Sequence, residues 1–305
     1  MDYRNCEIWK SASGSTREYE GGALNAGAVT EGTSFPWTAN TLGLDDVRWI
    51  AARGRPRVVA PIGGRNAGKT TFLVSLYIGW CRGVEIPGAR FAGSFSLGGW
   101  ENLAFYLRYP PHGVGPGFPP HTPASSKAVP GLLHLALRNS DGALNDVLLA
   151  DAPGESFSRW AVNTQDQQAM EARWCEEHAD AFVLFIDAEA MVSNERGAAC
   201  VEFHRLARRL AHVTARRPVA ILWAKSDIEI PPDFRQRIRQ PLGEWFPEAP
   251  EFSVSVKAKG RSGDPATNFQ DVFAWSVNES VSPKMLAVPV LSPEDPFLAY
   301  RGAVA

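Results

Sequence analysis

Nine residues, Gly63-Gly64-Arg65-Asn66-Ala67-Gly68-Lys69-Thr70-Thr71, constrain this chain more than any other stretch. An apolar run, Val58-Val59-Ala60-Pro61-Ile62, precedes them, and a second, Phe72-Leu73-Val74-Ser75-Leu76-Tyr77-Ile78, follows. Strand, glycine-rich turn and helix in that order form the context that a phosphate-binding loop requires. The spacing is complete: Gly63, four residues, then Gly68, Lys69 and Thr70. Glycines let the backbone curl until consecutive N–H groups face inward as a nest for anionic oxygens. A helix starting near Lys69 adds its positive end to that nest. Lys69 is placed to lie along the β- and γ-phosphates, and the Thr70 hydroxyl to bind Mg²⁺.

The 305 residues suffice for one large α/β domain or two small ones, and a 45% hydrophobic, 21% charged composition can bury a core. A net charge of −2 argues against general affinity for nucleic acid or anionic membranes. Cys6, Cys81, Cys175 and Cys200 are too scattered for a metal or redox pair, and the six histidines show no ligand spacing. The start, Met1-Asp2-Tyr3-Arg4-Asn5, has no basic-then-apolar leader pattern, and no apolar run reaches membrane-spanning length. A soluble, cytoplasmic protein is therefore expected.

Residues 1–55 are weakly patterned and read as an irregular N-terminal extension, with Leu42–Ala52 its one helical stretch. A domain over 56–280 follows. Its first strand is Arg57–Ile62, then come the loop and a helix to about Gly83. A long insertion at 84–130 holds a short helix, Trp100–Arg108, and a Pro/Gly-rich stretch; connections of that length are usually functional. Residues 131–137 and 146–150 read as a hairpin around Asn139-Ser140-Asp141-Gly142. Beyond it the pattern predicts a helix at Gln165–His178, a doubly buried strand at Phe182–Ile186 and an amphipathic helix at Glu195–Arg216. A strand at Pro218–Trp223, a helix at Phe234–Trp245, a last strand at Phe252–Val256 and a helix at Phe269–Asn278 complete the domain. Residues 281–305 are too proline-rich for a regular element. Alternating strands and helices imply an α/β fold with a mostly parallel sheet covered on both faces, and ligand beyond the carboxyl ends of its strands.

Later motifs narrow the chemistry. Asp151 and Gly154 form Asp-x-x-Gly at a strand end: the acid can hold Mg²⁺ through water, and the glycine N–H can contact the γ-phosphate. In Ala224-Lys225-Ser226-Asp227 the Asp227 carboxylate can accept two hydrogen bonds from guanine, which adenine cannot offer, while the Lys225 stem lies over the base. Ser255-Val256-Lys257 ends the last strand, where a backbone N–H can reach the base oxygen. These four motifs in this order resemble the Ras-like, translation-factor-related class of P-loop GTPases over roughly residues 57–280. Within it, Asp-Ala-Pro-Gly-Glu, Gly-Gly-Trp-Glu and the stretch from His121-Thr122 to Ser126 look most similar to the bacterial double-GTPase families, which are encoded in conflict-associated gene clusters. That resemblance implies a Mg²⁺-dependent GTP/GDP switch, partners encoded nearby, and no nucleic-acid or membrane ligand.

Several positions depart from the class. Ala224 stands where Asn or Thr is usual, so a link between base and phosphate loop is missing, and weaker guanine selectivity is expected. Glu155 replaces the water-orienting Gln; it can act as a base or repel the γ-phosphate. Thr122 is the choice for a switch threonine on the metal, with Ser125 and Ser126 as rivals. Asn66 either serves a K⁺ beside the phosphates or favours a turn, and Arg65 either supplies charge at the γ-phosphate or points to solvent. The arginines at 205, 208, 209, 216 and 217 read as a solvated face. A slow GTPase is the reading that results. The alternatives are a nucleotide-binding scaffold with little turnover, or an ATPase of the same fold.

Overall fold

The computed structural model describes residues 40–109, 129–214, 217–256 and 265–278. The N-terminal 39 residues, Thr122, Ser125, Ser126, Lys257 and the proline-rich tail lie outside the described residues. Helix α1 (Leu44–Ala51) leads into β1 (Arg57–Ile62), α2 (Lys69–Cys81), β2 (Ala89–Gly93) and α3 (Leu97–Arg108). The hairpin β3 (Gly131–Asn139) and β4 (Leu144–Asp151) follows, then α4 (Gly154–Val162) and, after a 3₁₀ turn, α5 (Met170–His178). Next come β5 (Ala181–Asp187), α6 (Ala188–Val192), α7 (Arg196–Val213) and β6 (Val219–Ala224). Helix α8 (Pro232–Trp245), β7 (Glu251–Val254) and α9 (Pro265–Asn278) complete the order.

The seven strands form one sheet in the order β2-β3-β4-β1-β5-β6-β7. The pairs β4–β1, β1–β5, β5–β6 and β6–β7 are parallel, and β2–β3 and β3–β4 are antiparallel. Side chains alternate across a strand, so an apolar run sends residues to two cores. Phe182, Leu184 and Ile186 face one, while Val183 and Phe185 face the other. The first core is closed by α4, α5, α7 and α8 through residues such as Phe157, Cys175, Leu206 and Ile238. The second is closed by α2, α3 and α9 through Leu73, Trp100 and Phe273. Helix α2 buries Phe72, Leu73, Val74, Leu76 and Tyr77, because it lies between the sheet and two further helices.

Three elements depart from the expected order. Strand β2 lies inside the segment expected to hold only a helix; it is an edge strand, three of its residues are exposed, and its register slips between Phe91 and Gly93. A strand paired on one side has little burial to impose alternation on its sequence. Helix α4 starts at Gly154, directly after Asp-Ala-Pro, where no helix was expected before Gln165. Its signal is Phe157, Trp160 and Ala161, buried at helical spacing. Leu42 exchanges backbone hydrogen bonds with Leu132 (2.8 and 3.2 Å) and is buried together with Ile50, so residues 42–51 share the first core.

A buried polar knot ties the hairpin to the rest. His134 Nδ1 accepts from the Phe95 N–H (2.9 Å), which leaves the proton on Nε2, donated to Asp146 Oδ1 (2.9 Å). Arg53 donates to the same carboxylate oxygen (2.6 Å), and the His134 N–H donates to the buried Ser96 hydroxyl (2.7 Å). Burial pushes the imidazole pKa down, with Asp146 opposing and Arg53 reinforcing. A second proton has no place here, since Nδ1 already serves as an acceptor. The folded state therefore takes up its proton at lower pH than the unfolded chain, whose histidine titrates near ~6.5. Below that pH the unfolded state binds more protons, so stability is retained above it and lost as pH falls. Urea unfolding at pH 7.5 and 5.5 should show wild type losing about 1 kcal/mol more over that interval than His134→Gln. Equal losses would remove His134 as the source.

Candidate nucleotide-binding site

Strand β1 delivers the loop to the carboxyl edge of the sheet. A side chain at Gly63 would press on Ala67 Cβ and Phe185 Cβ, both at 3.0 Å. Gly68 stands immediately before α2 with φ 93°, a left-handed conformation that costs glycine little. Asn66 also has positive φ, 62°, which asparagine tolerates better than most residues. The Phe72 N–H donates to the Gly68 carbonyl (2.8 Å), so the loop runs straight into the first turn of the helix. Inside the curl Lys69 Nζ donates to the carbonyls of Gly63 (2.9 Å) and Gly64 (3.0 Å). Burial lowers its pKa to about 8, against the opposing pull of Asp151 and Glu155. A buried ammonium that meets neutral carbonyls, the face of the Phe157 ring (5.7 Å) and more distant carboxylates is poised for an anion.

Asp151, the last residue of β4, accepts a hydrogen bond from Thr70 Oγ1 (2.9 Å). A hydroxyl and a carboxylate side by side offer the hard oxygen donors that Mg²⁺ takes. Gly154 touches the loop itself: a Cβ there would lie 2.3 to 2.5 Å from the Gly64 and Arg65 backbone. Next to it, Arg65 Nε and Glu155 Oε1 form an ion pair at 3.2 Å, both well exposed. Thr71 follows Thr70 on α2, and both line the cleft.

At the other end β6 stops at Ala224, whose methyl sits 3.7 Å from where a Gly68 side chain would be. Lys225 has φ 56°, and its ammonium donates to Asp187 Oδ2 (2.9 Å) and Glu189 Oε2 (2.8 Å). Asp227 Oδ1 accepts from the Ser255 hydroxyl (2.5 Å). The Ser226 N–H donates to the Val254 carbonyl (3.0 Å), binding this turn to β7. Val256 also lines the cleft, but β7 ends at Val254, two residues short of the expected strand. One cleft of about 380 Å³ runs from Arg65 and Glu155 to Asp227 and Val256.

Every described site residue predicted from the sequence borders this cleft except Gly63, Gly64 and Asp151, which form the loop's outer wall and the Thr70 contact behind it. Sequence reasoning missed Phe72, Ile228 and Phe269, which form an apolar floor, and Glu189. Phe72 and Ile228 follow motif residues directly and could have been found by adjacency. Glu189 and Phe269 carried no spacing signal, since each reaches the cleft through tertiary packing.

The sheet order, the loop between β1 and α2, Asp151 at the end of β4 and Asp227 in the turn after β6 define a P-loop NTPase of the Ras-like GTPase kind. A family model for Double-GTPase 2 matches residues 57–276, and the chain belongs to that family. Membership supports a GTPase-type, nucleotide-binding domain. No curated protein matches the chain. Among the described residues no helix is long and apolar enough to cross a membrane.

Two glycine substitutions should differ in sign. Gly154→Ala forces α4 off the loop and should cost about 1–3 kcal/mol. Gly197→Ala, at an exposed helical position where an added Cβ meets nothing within 4 Å, should gain up to about 1 kcal/mol. Thermal melts of both variants decide it, and equal destabilisation would contradict the close approach at Gly154.

Proposed function

We propose that this chain is a Mg²⁺-dependent switch that binds and slowly hydrolyses GTP, as a cytoplasmic regulatory component of a bacterial multi-protein conflict system. The supporting observation is that Lys69 and Asp227 open on the same cleft, one suited to phosphate and the other to guanine. In this reading Lys69 exchanges the Gly63 and Gly64 carbonyls for phosphate oxygens, with the N–H groups from Arg65 to Thr71 around them. Asp227 reads the N1–H and exocyclic amine of guanine, held toward the base by Ser255. The backbone at Ser255 and Val256 meets the base oxygen, and Lys257, outside the described residues, is the third residue assigned to this role. Thr70 and Asp151 would hold Mg²⁺, with Thr122 as third residue. The ion supplies charge neutralisation on the phosphates.

Glu155 and Arg65 stand where the γ-phosphate would be approached. An exposed ion pair contributes little to stability and is readily opened. With GTP bound, Arg65 turns to the phosphate, and Gly154 and Glu155 orient the attacking water. A carboxylate so close to the phosphate keeps turnover slow. The same pair, and the methyl of Ala224 in place of an amide, favour the second reading, a nucleotide-binding scaffold. Asn66 is the residue through which K⁺ would accelerate hydrolysis, although its left-handed φ alone accounts for asparagine at that position.

Fluorescent GDP bound with Mg²⁺ should be displaced by GTP and not by equal ATP; equal displacement would turn the reading into an ATPase. Turnover of wild type and Arg65→Ala in KCl and in NaCl tests the catalytic half. A loss of about tenfold or more in the variant is expected if the guanidinium stabilises transition-state charge. Unchanged hydrolysis removes Arg65 from catalysis, equal rates in the two salts remove K⁺, and no turnover leaves the scaffold.

A further inference from the structure

Lys225 spans two strands. It follows β6, while the carboxylates that hold its ammonium belong to residues at and just after the end of β5. In the parallel register Asp187 lies beside Ala224, so the lysine stem crosses from the base end of the cleft toward the phosphate end. Asp187 is itself fixed, because its Oδ1 accepts from the N–H groups of Glu189 (3.0 Å) and Ala190 (3.4 Å) and caps α6. Glu189 borders the cleft with Lys225 and Asp227, and its side chain is 65% exposed. Lys225 also carries an unfavourable backbone conformation for a residue with a side chain, which the surroundings must hold in place. Ala224 offers the phosphate loop only a methyl, so no side-chain hydrogen bond from that position steadies the base motif.

The geometry points to Glu189 as a nucleotide-positioning residue, which acts through Lys225 by anchoring its ammonium so that the aliphatic stem forms a fixed wall for the purine ring. This inference rests on the proposed guanine-nucleotide reading of the cleft and adds a residue to it. Asp187 shares the anchor but also caps a helix, so its removal would disturb the fold. Glu189 is exposed and projects from the first turn of α6, so truncating it leaves the packing intact. Burial disfavours the Lys225 ammonium, while the two carboxylates more than offset it and raise its pKa, so the anchor persists across neutral pH.

The test is a double-mutant cycle read by fluorescent GDP and ADP affinity, with melting temperature as the structural control. Glu189→Ala should weaken GDP binding by about 3- to 10-fold, the scale of a half-exposed charge-assisted hydrogen bond, without lowering the melting temperature. Glu189→Gln keeps an acceptor and should restore affinity to within about twofold of wild type. In a Lys225→Met background, Glu189→Ala should have no further effect. Unchanged GDP affinity in Glu189→Ala overturns the inference. Additive losses in the double variant also overturn it, because Glu189 would then act on the nucleotide directly. Wild type that binds ADP as tightly as GDP overturns the guanine reading alone, and the cycle is then read on ADP. Binding of neither nucleotide overturns both.

Discussion

Strand β1 is boxed in on four sides: β4 and β5 flank it, and a separate apolar core covers each of its faces. A strand in that position cannot slide or tilt without opening two cores at once, so the loop that leaves it emerges at a fixed point. The loop then has little room. At Gly63 the neighbours already stand at the limit of contact, and at Gly154 the opposing segment rests on the loop's backbone. The order at the phosphate end of the cleft thus comes mainly from chain geometry, with Lys69 folded inside it.

The base end is built differently. Asp227 is steadied by a serine just after β7, and Lys225 by carboxylates at the end of β5 and in α6. Side-chain pairs add to the backbone bond from Ser226 to Val254 there, over a floor of Phe72, Ile228 and Phe269. In the proposed nucleotide reading, side-chain pairs at one end let base preference vary independently of the loop at the other. Ala224 sits between the two halves, its methyl 3.7 Å from where a Gly68 side chain would be.

Sequence legibility followed the same division. The loop, Asp151, Gly154 and Asp227 could be read because backbone geometry and fixed chemistry demand particular residues at fixed spacing. Strand β1 was legible to the residue, since burial on both faces leaves an uninterrupted apolar run between polar ends. Strand β2 was not, because an edge strand meets one neighbour and its exposed residues answer to solvent. Helix α4 was overlooked although Phe157, Trp160 and Ala161 announce it, because the glycine at its start reads as a turn. Glu189 could not be found at all. Its partner lies 36 positions away, and only the pairing of β5 with β6 brings them together.

Helix α9 runs the length of the site's support. Near its start Phe269 packs on Phe72 at 5.9 Å between ring centres and closes the cleft floor. Near its end the Ser276 carbonyl accepts from Arg57, the first residue of β1 (2.7 Å). Between them Gln270 accepts from Trp80 (2.5 Å) and donates to the Leu76 carbonyl (3.3 Å). The last helix of the domain therefore links α2, beside the cleft, to the first residue of the central strand. Phe269 and Ser276 stand on one helix about two turns apart, so the cleft floor and the start of β1 hang from a single regular element.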